Sequence, residues 1–376
     1  MKNNTDHIAI IGGGIIGLGI GWQLVRRGAK VTIFEKGEIG KEASWVAGGM
    51  LAPYAEAGFE EIKLMRFGEQ SLQMYPRLLD ELSEDTDEVP VLDTCGTLMA
   101  GIDRDDTEKL KRLYEFRKEL ALDVKLLTGT EAREREPLLS PNVVSGLWLP
   151  DDAQIDNRKL LKAMKRGFEQ LGGTVMEQTK VEEVDIKRET VMSVITEEET
   201  YAVDQVVVAA GCWSQQLDGI PDQQLPPIRP EKGQIITMEK TADCPLKGII
   251  RSPRMYLVPK EDGTIRLGAT AEEKGFDKRP TAGPQKELLE HGWEMIPSIY
   301  ELPLVETVAG LRPAGKDHRP IIGESDISGL YYATGHYRHG IMLMPLTVYA
   351  LVDEILEGEV SDWLTPFRPQ RFNANE

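Results

Sequence analysis

The stretch "HIAIIGGGIIGLGIGWQLVRRGAKVTIFEK", His7 to Lys36, constrains the fold more than any other part of the chain. Its charge-free run from Ile8 to Val25 admits three readings. A secretory signal needs a basic start, an apolar run and a small-residue cleavage site. Here Lys2 is offset by Asp6, and no A-x-A-like site follows. A membrane-spanning helix needs a run of nearly this length, but Gly12, Gly13, Gly14, Gly17, Gly19 and Gly21 make a poor lone helix. No membrane anchor is expected. The third reading is a βαβ unit. "HIAII" suits a buried parallel strand, Arg26, Arg27 and Gly28 suit a helix end, and "VTIFE" suits a second strand. Gly12, Gly14 and Gly17 spell G-x-G-x-x-G, and Glu35 follows about 20 residues later, the dinucleotide spacing. Gly12 permits the turn, Gly14 lets backbone approach a pyrophosphate, and Gly17 lets helix and strand pack. The helix N-terminus offers free N–H groups to phosphate. Glu35 can accept ribose hydroxyls and disfavours a 2′-phosphate.

At 376 residues the chain is long enough for two domains with substantial cores. Its net charge of −18 argues against nucleic acid and anionic membrane surfaces as partners. Three widely spaced cysteines, Cys95, Cys212 and Cys244, suggest neither a disulfide framework nor a metal site. A reducing cytoplasm fits that usage.

The nucleotide unit does not run on as further βα pairs. "KEASWVAGGMLAPYAEAG" is rich in glycine and alanine, so backbone comes close to something there. Helices are expected near Leu64–Leu82 and Thr107–Leu122, with "CGTLMAG" a strand between them. A further helix starts at Asp156 as N-cap and stops at Gly172 and Gly173. "VEEVDIK" and "YAVDQVVVAAG" read as strands. Alternation in "GQIITME", "MYLVPK" and "TIRLGAT" predicts an antiparallel sheet. "LYYATG" returns to a buried strand, followed by a helix from "HGIMLMP". The order is nucleotide, other, nucleotide, other, nucleotide.

Several further motifs carry chemistry. "AAGCWS" ends a buried strand in small residues. "AGLRP" sets Arg312 among apolar neighbours, where an arginine either pairs internally or clamps a carboxylate with its planar fork. "TGHYRHGIMLMP" runs from a strand end into a helix start, with His336 and His339 as surface or capping residues.

Together with the N-terminal fingerprint, "SWVAGGM", "VVVAAGCWS", "MYLVPKEDGTIRLGATAEEKGFD" and "AGLRPAGKDHRPIIG…YYATGHYRHGIMLMP" resemble the D-amino-acid oxidase family of flavoproteins, most of all its glycine oxidase branch of thiazole biosynthesis. The resemblance runs nearly end to end. It implies an α/β fold: a Rossmann-like FAD-binding domain from residues 1–85, 146–225 and 308–376, and a discontinuous, mainly antiparallel α+β substrate domain from 86–145 and 226–307.

It also implies site residues. FAD would be held by Gly12, Gly14, Ile15, Ile16, Gly17, Glu35 and Lys36, and by Ala43, Ser44, Ala47, Gly48, Gly49 and Met50. Val181 would add a backbone contact on the adenine side, with Gly211 and Trp213 beside it. His336, Tyr337, Arg338, His339, Gly340, Ile341 and Met342 would face the flavin pyrimidine. Arg312 and the Tyr256 hydroxyl would bind the substrate carboxylate, and Arg338 would touch the substrate; these three are the catalytic candidates. Met50, Glu56 and Arg254 would complete the substrate pocket. The family usually has Asn where His339 stands, and some relatives have His at Arg254. Covalent flavin in sarcosine-oxidase relatives uses a late Cys, and here none follows Cys244, so non-covalent FAD is implied.

The implied activity is oxidation of glycine and other small amino acids, with hydride transfer from Cα to the flavin. The imine gives glyoxylate and ammonia or enters thiazole synthesis, and dioxygen is reduced to hydrogen peroxide. A homo-oligomer without a metal is implied. A D-amino-acid dehydrogenase, a sarcosine-type oxidase and a non-catalytic flavin sensor stay open.

Overall fold

The computed structural model describes residues 6–372; Lys2 and the outermost ends of segments 1–85 and 308–376 lie outside the described residues. The N-terminal run forms strand His7–Ile11, helix Ile15–Arg26 and strand Lys30–Phe34. These strands join a six-stranded sheet ordered Ile321–Glu324, Leu330–Thr334, Gln205–Val208, His7–Ile11, Lys30–Phe34, Thr174–Met176. All neighbours in it are parallel except the edge strand Ile321–Glu324. Its central strands His7–Ile11, Gln205–Val208 and Leu330–Thr334 are buried almost from end to end rather than alternating, as where both faces of a sheet are covered.

The second large sheet has eight strands: Leu304–Gly315, Ile228–Glu239, Thr264–Gly268, Tyr256–Pro259, Ile249–Arg251, Thr97–Gly101, Ser145–Leu149 and Lys125–Thr128. It is antiparallel except where Ile249–Arg251 runs parallel to Thr97–Gly101. Two expected boundaries shift. Ser145–Leu149 hydrogen-bonds into this sheet, so residues 146–149 leave the nucleotide segment. Leu304–Gly315 pairs with Ile228–Glu239 along nearly its whole length, across the expected edge at 308.

The expected helices are present with slightly different ends, at Ile62–Ser83 and Arg104–Glu119. Asp156 caps helix Asn157–Gln170, accepting from the Arg158 and Lys159 N–H groups at 2.9 Å each. The core of the nucleotide unit is a stack of helices Ile15–Arg26, Ile62–Ser83 and Gly340–Glu357. Gly19 makes the first contact close: a Cβ there would stand 2.8 Å from the Val348 side chain. Among the described residues, no helix is long and apolar enough to cross a membrane.

Candidate active site

One elongated cavity opens where the parallel strands end, as expected for an open α/β sheet. Its walls include Gly12 and Gly14 after the first strand, Glu35 and Lys36 after the second, Ala209–Trp213 after Gln205–Val208, and Gly335 onward after Leu330–Thr334. Strands of the eight-stranded sheet close its other end with Glu231, Arg251, Tyr256 and Arg312. Every site residue named from the sequence lines this cavity except Gly17.

At the glycine turn, Gly12 takes φ +109°, a conformation that side chains resist. Gly17 sits behind it, and a Cβ there would collide with the Gly12 carbonyl oxygen. Gly14 is the N-cap of the first helix, which has no acidic residue in its first turn. The Ile15 N–H donates to Ser44 Oγ at 3.0 Å, while the helix itself supplies no carbonyl for Ile16 or Gly17. Glu35 is 7% exposed. It accepts from the Gly13 N–H at 2.9 Å and the Gly37 N–H at 3.0 Å, so it stiffens the turn as well as facing the cavity. Lys36 Nζ lies 3.0 Å from the centre of the Trp213 ring, a cation–π contact. Cys212, which the sequence reading left out, lines the wall beside it, and burial pushes its thiol up to about 12.

Register builds the other end. Glu231 and Arg312 are directly opposite on paired strands, and Arg312 Nη1 donates to Glu231 Oε1 at 3.0 Å and to the Thr270 carbonyl at 2.9 Å. The Tyr337 hydroxyl donates to the same carboxylate at 2.8 Å, from a backbone held at φ +51°. Arg312 thus has an internal partner and also lines the cavity. Its Nε and Nη2 make no hydrogen bond among the described residues. Tyr256 faces the same space, its ring fitted between Gly48 and Gly268, where a Cβ would crowd its hydroxyl. Burial raises the Tyr256 hydroxyl against the opposing pull of Arg312 and Arg251, so it stays a donor.

Arg251, like Glu231, is a cavity residue that the sequence did not point to. It is directly opposite Tyr256 in the hairpin, so the two share a face. It forms an ion pair with Glu56. Arg254 also touches the cavity, but its guanidinium reaches toward Asp103, Asp106 and Glu294 at 3.5–3.8 Å. Arg338 is exposed and lies 4.8 Å from the Tyr337 ring centre.

His336 and His339 are 3% and 5% exposed, not surface groups. The last helix packs on the first and on Ile62–Ser83, and this draws its start inward. His336 Nε2 shares a hydrogen bond with Thr347 Oγ1 at 3.1 Å. Burial pushes both imidazoles down to about 3, His339 also through Arg338 and Arg251. At 3.8 Å from Glu56, a neutral His339 is a neighbour and not an ion pair. Between pH 6.5 and 3 the unfolded chain binds these protons better. Their contribution to stability is therefore complete above 6.5 and is lost as pH falls toward 3. At pH 5 each imidazole should cost about 2 kcal/mol. Urea unfolding at pH 7.5 and 5 checks this: His339→Asn should lose about 2 kcal/mol less than the parent. Equal losses would mean that this imidazole does not titrate on unfolding.

A family model described as FAD dependent oxidoreductase matches residues 7–354. The chain belongs to this family. It is 32% identical to the glycine oxidase of Geobacillus kaustophilus over 96% of this chain and 95% of that one. It is 33% identical to the bifunctional ThiO/ThiG protein of Trichormus variabilis over 98% of this chain, but it spans only about half (55%) of that relative's length. The crystal structure of the Geobacillus glycine oxidase superposes with a TM-score of 0.91 at 31% identity, covering 98% of this chain and 99% of that one.

The cavity fits an FAD. A helix N-terminus without an acidic first turn opens at Gly14, and a second does so at His339–Met342. Glu35 stands at the glycine turn, and a Cβ at Gly211 would meet nothing within 4 Å. Glu35→Ala should weaken FAD binding by about 1.5–3 kcal/mol, the scale of hydrogen bonds to a charged group. Titrating apoprotein with FAD measures this, and an unchanged Kd would remove Glu35 from the binding site.

Proposed function

We propose that this chain oxidises glycine and other small amino acids, with dioxygen as the final acceptor. The observation that carries the reading is Arg312. It is fixed through Nη1 by Glu231 and Thr270, and its Nε and Nη2 have no partner among the described residues. That free edge is the two-pronged donor a substrate carboxylate needs. Gly233 makes room for it, since a Cβ there would collide with Nη2.

The neutral-state Tyr256 hydroxyl donates a further hydrogen bond to the carboxylate. Arg338 adds positive charge at the same end. Fixing the carboxylate orients the Cα–H, and such positioning supplies a large part of a rate enhancement. His336 and His339 remain uncharged, so they place no cation beside the substrate amine. FAD, held at the glycine turn and by the start of the last helix, would supply the two-electron acceptor for a hydride from Cα, and dioxygen with a proton would take those electrons on as hydrogen peroxide. Loss of a proton from nitrogen completes the imine, which water hydrolyses to glyoxylate and ammonia in the case of glycine, or which passes to thiazole synthesis. FAD is held non-covalently in this reading. The only cavity thiol among the described residues, Cys212, is buried and protonated, a poor nucleophile. Three free cysteines also suit a reducing cytoplasm.

An anaerobic titration tests the reading. Glycine, N-methylglycine and D-alanine are added to the yellow protein while the visible flavin band is followed. Bleaching is expected with at least one of them, and the flavin should leave the protein on acid precipitation. A protein that holds FAD but bleaches with no amino acid would be a binding protein and not an oxidase. Flavin in the acid pellet would contradict non-covalent attachment.

A further inference from the structure

Glycine has no side chain, yet the cavity that would receive it carries more cation than one carboxylate employs. Arg312 has Glu231, and Arg254 leans toward Asp103, Asp106 and Glu294. Arg251 has Glu56, which leaves one guanidinium without a carboxylate. Arg338 makes no ion pair among the described residues and rests on the Tyr337 ring. Arg251 is presented to the cavity beside Tyr256 by direct cross-strand register, with its side chain 19% exposed. Glu56, the partner of Arg251, also lies 3.8 Å from His339, the residue after Arg338, so the two guanidiniums border one stretch of the cavity wall. Burial, and then Arg338, draws Arg251 down to about 10, so it remains charged at neutral pH.

The Arg251–Glu56 pair is a poor device for stability. A buried ion pair is commonly matched or bettered by apolar residues of similar volume. In a cavity wall it has another property: the carboxylate on the guanidinium can be exchanged for one carried by a ligand. Exchange is favoured when the incoming carboxylate also gains from Arg338, which Glu56 leaves unpaired.

We infer that Arg251, with Arg338 beside it, forms a second anion subsite, and that the preferred substrate is an amino acid bearing a second acidic group. The inference rests on the oxidase reading above, and Arg312 with Tyr256 still binds the α-carboxylate. The second carboxylate can be carried on the amine nitrogen or on Cβ; the chemistry recognised by Arg251 is the same.

Matched pairs test this on the FAD-loaded enzyme. N-carboxymethylglycine is compared with N-methylglycine, and D-aspartate with D-alanine, by kcat/KM from peroxide release. Oxydiacetate is compared with methoxyacetate, neither of them oxidisable, by perturbation of the bound flavin spectrum. The diacid is expected to be favoured at least tenfold in one substrate pair and in the ether pair. The pair that shows it locates the second carboxylate. Arg251→Met should bring both ratios down by tenfold or more. Glu56→Gln, which releases Arg251, should keep or increase them, and it stands in if Arg251→Met does not hold flavin. Monoacids favoured in every pair would overturn the inference while leaving the oxidase reading intact. So would a diacid preference that survives Arg251→Met or is abolished by Glu56→Gln. If no amino acid bleaches the flavin, the oxidase reading fails, and the ether pair alone still decides the subsite.

Discussion

Replacing Arg312 by alanine is expected to lower kcat/KM for glycine by about 2–5 kcal/mol, roughly thirty- to several-thousand-fold, the range for truncating one partner of a buried charge pair. Flavin should stay bound, because none of the contacts at the glycine turn involves Arg312. Arg312→Lys should recover only part of the loss, since an ammonium cannot present two parallel N–H donors. The internal pair with Glu231 supplies a rival explanation, that the loss comes from a stranded carboxylate. Two controls separate the explanations. A slow amine without a carboxylate does not use the clamp, so its oxidation should change little in Arg312→Ala. The double variant Arg312→Ala/Glu231→Gln removes the stranded charge, and its glycine defect should persist. Equal losses for glycine and the carboxylate-free amine, or recovery in the double variant, would make Arg312 a residue of the fold.

Gly17→Ala should damage the dinucleotide end instead. A methyl at that position collides with the Gly12 carbonyl oxygen and comes within 3.2 Å of Ile10. Gly12 cannot yield easily, because it is held at φ +109° and its N–H donates to the Phe34 carbonyl at 2.8 Å. The first helix must move off the turn, which costs about 1–3 kcal/mol as overpacking. It also shifts the N–H groups meant for phosphate. We expect a lower melting temperature and at least a tenfold weaker FAD Kd, on the order of 1.4 kcal/mol. Gly283→Ala is the contrasting control. It lies in helix Ala282–Met295 with nothing within 4 Å of its Cβ, so it should be neutral or stabilise by about 0.5 kcal/mol. Similar melting and FAD binding for the parent and Gly17→Ala would refute the packing role.

What could be read in the sequence was what is encoded locally. The first βαβ unit was legible because strand, glycines, helix and Glu35 lie within one short segment, each with its own signal. Asp156 was legible as a cap for the same reason. Arg251 was not, because Arg251 and Arg254 stand three apart in similar surroundings. Only the tight turn between them, where the Ser252 N–H donates to the Met255 carbonyl at 2.8 Å, decides which one faces Tyr256. Counting back across that turn from "MYLVP" would have found it. Glu231 was out of reach, since it meets Arg312 from 81 residues away and only strand register brings them together. The two histidines looked polar, and their burial depends on helices from three separate parts of the chain. The expected edges at 146 and 308 fall inside strands Ser145–Leu149 and Leu304–Gly315, because local sequence does not announce which sheet a strand will join.

The cavity is walled by the earliest and the latest parts of the described chain. Gly12 and Gly14 follow the first strand, whereas His339–Met342 open a helix that ends at Glu357. Between them, strand Leu330–Thr334 reaches the first strand only through Gln205–Val208. During synthesis at about 5–20 residues per second, the N-terminal half of the site must wait tens of seconds for its counterpart. A ribosome-bound chain that has not yet exposed residue 342 has the glycine turn but no pocket. Cofactor capture thus waits until the last helix has emerged, and until then the apolar face of the first helix has no final partner. In a cell short of flavin the helices would still meet, but around an unfilled interior, a form more open to proteases than the loaded one.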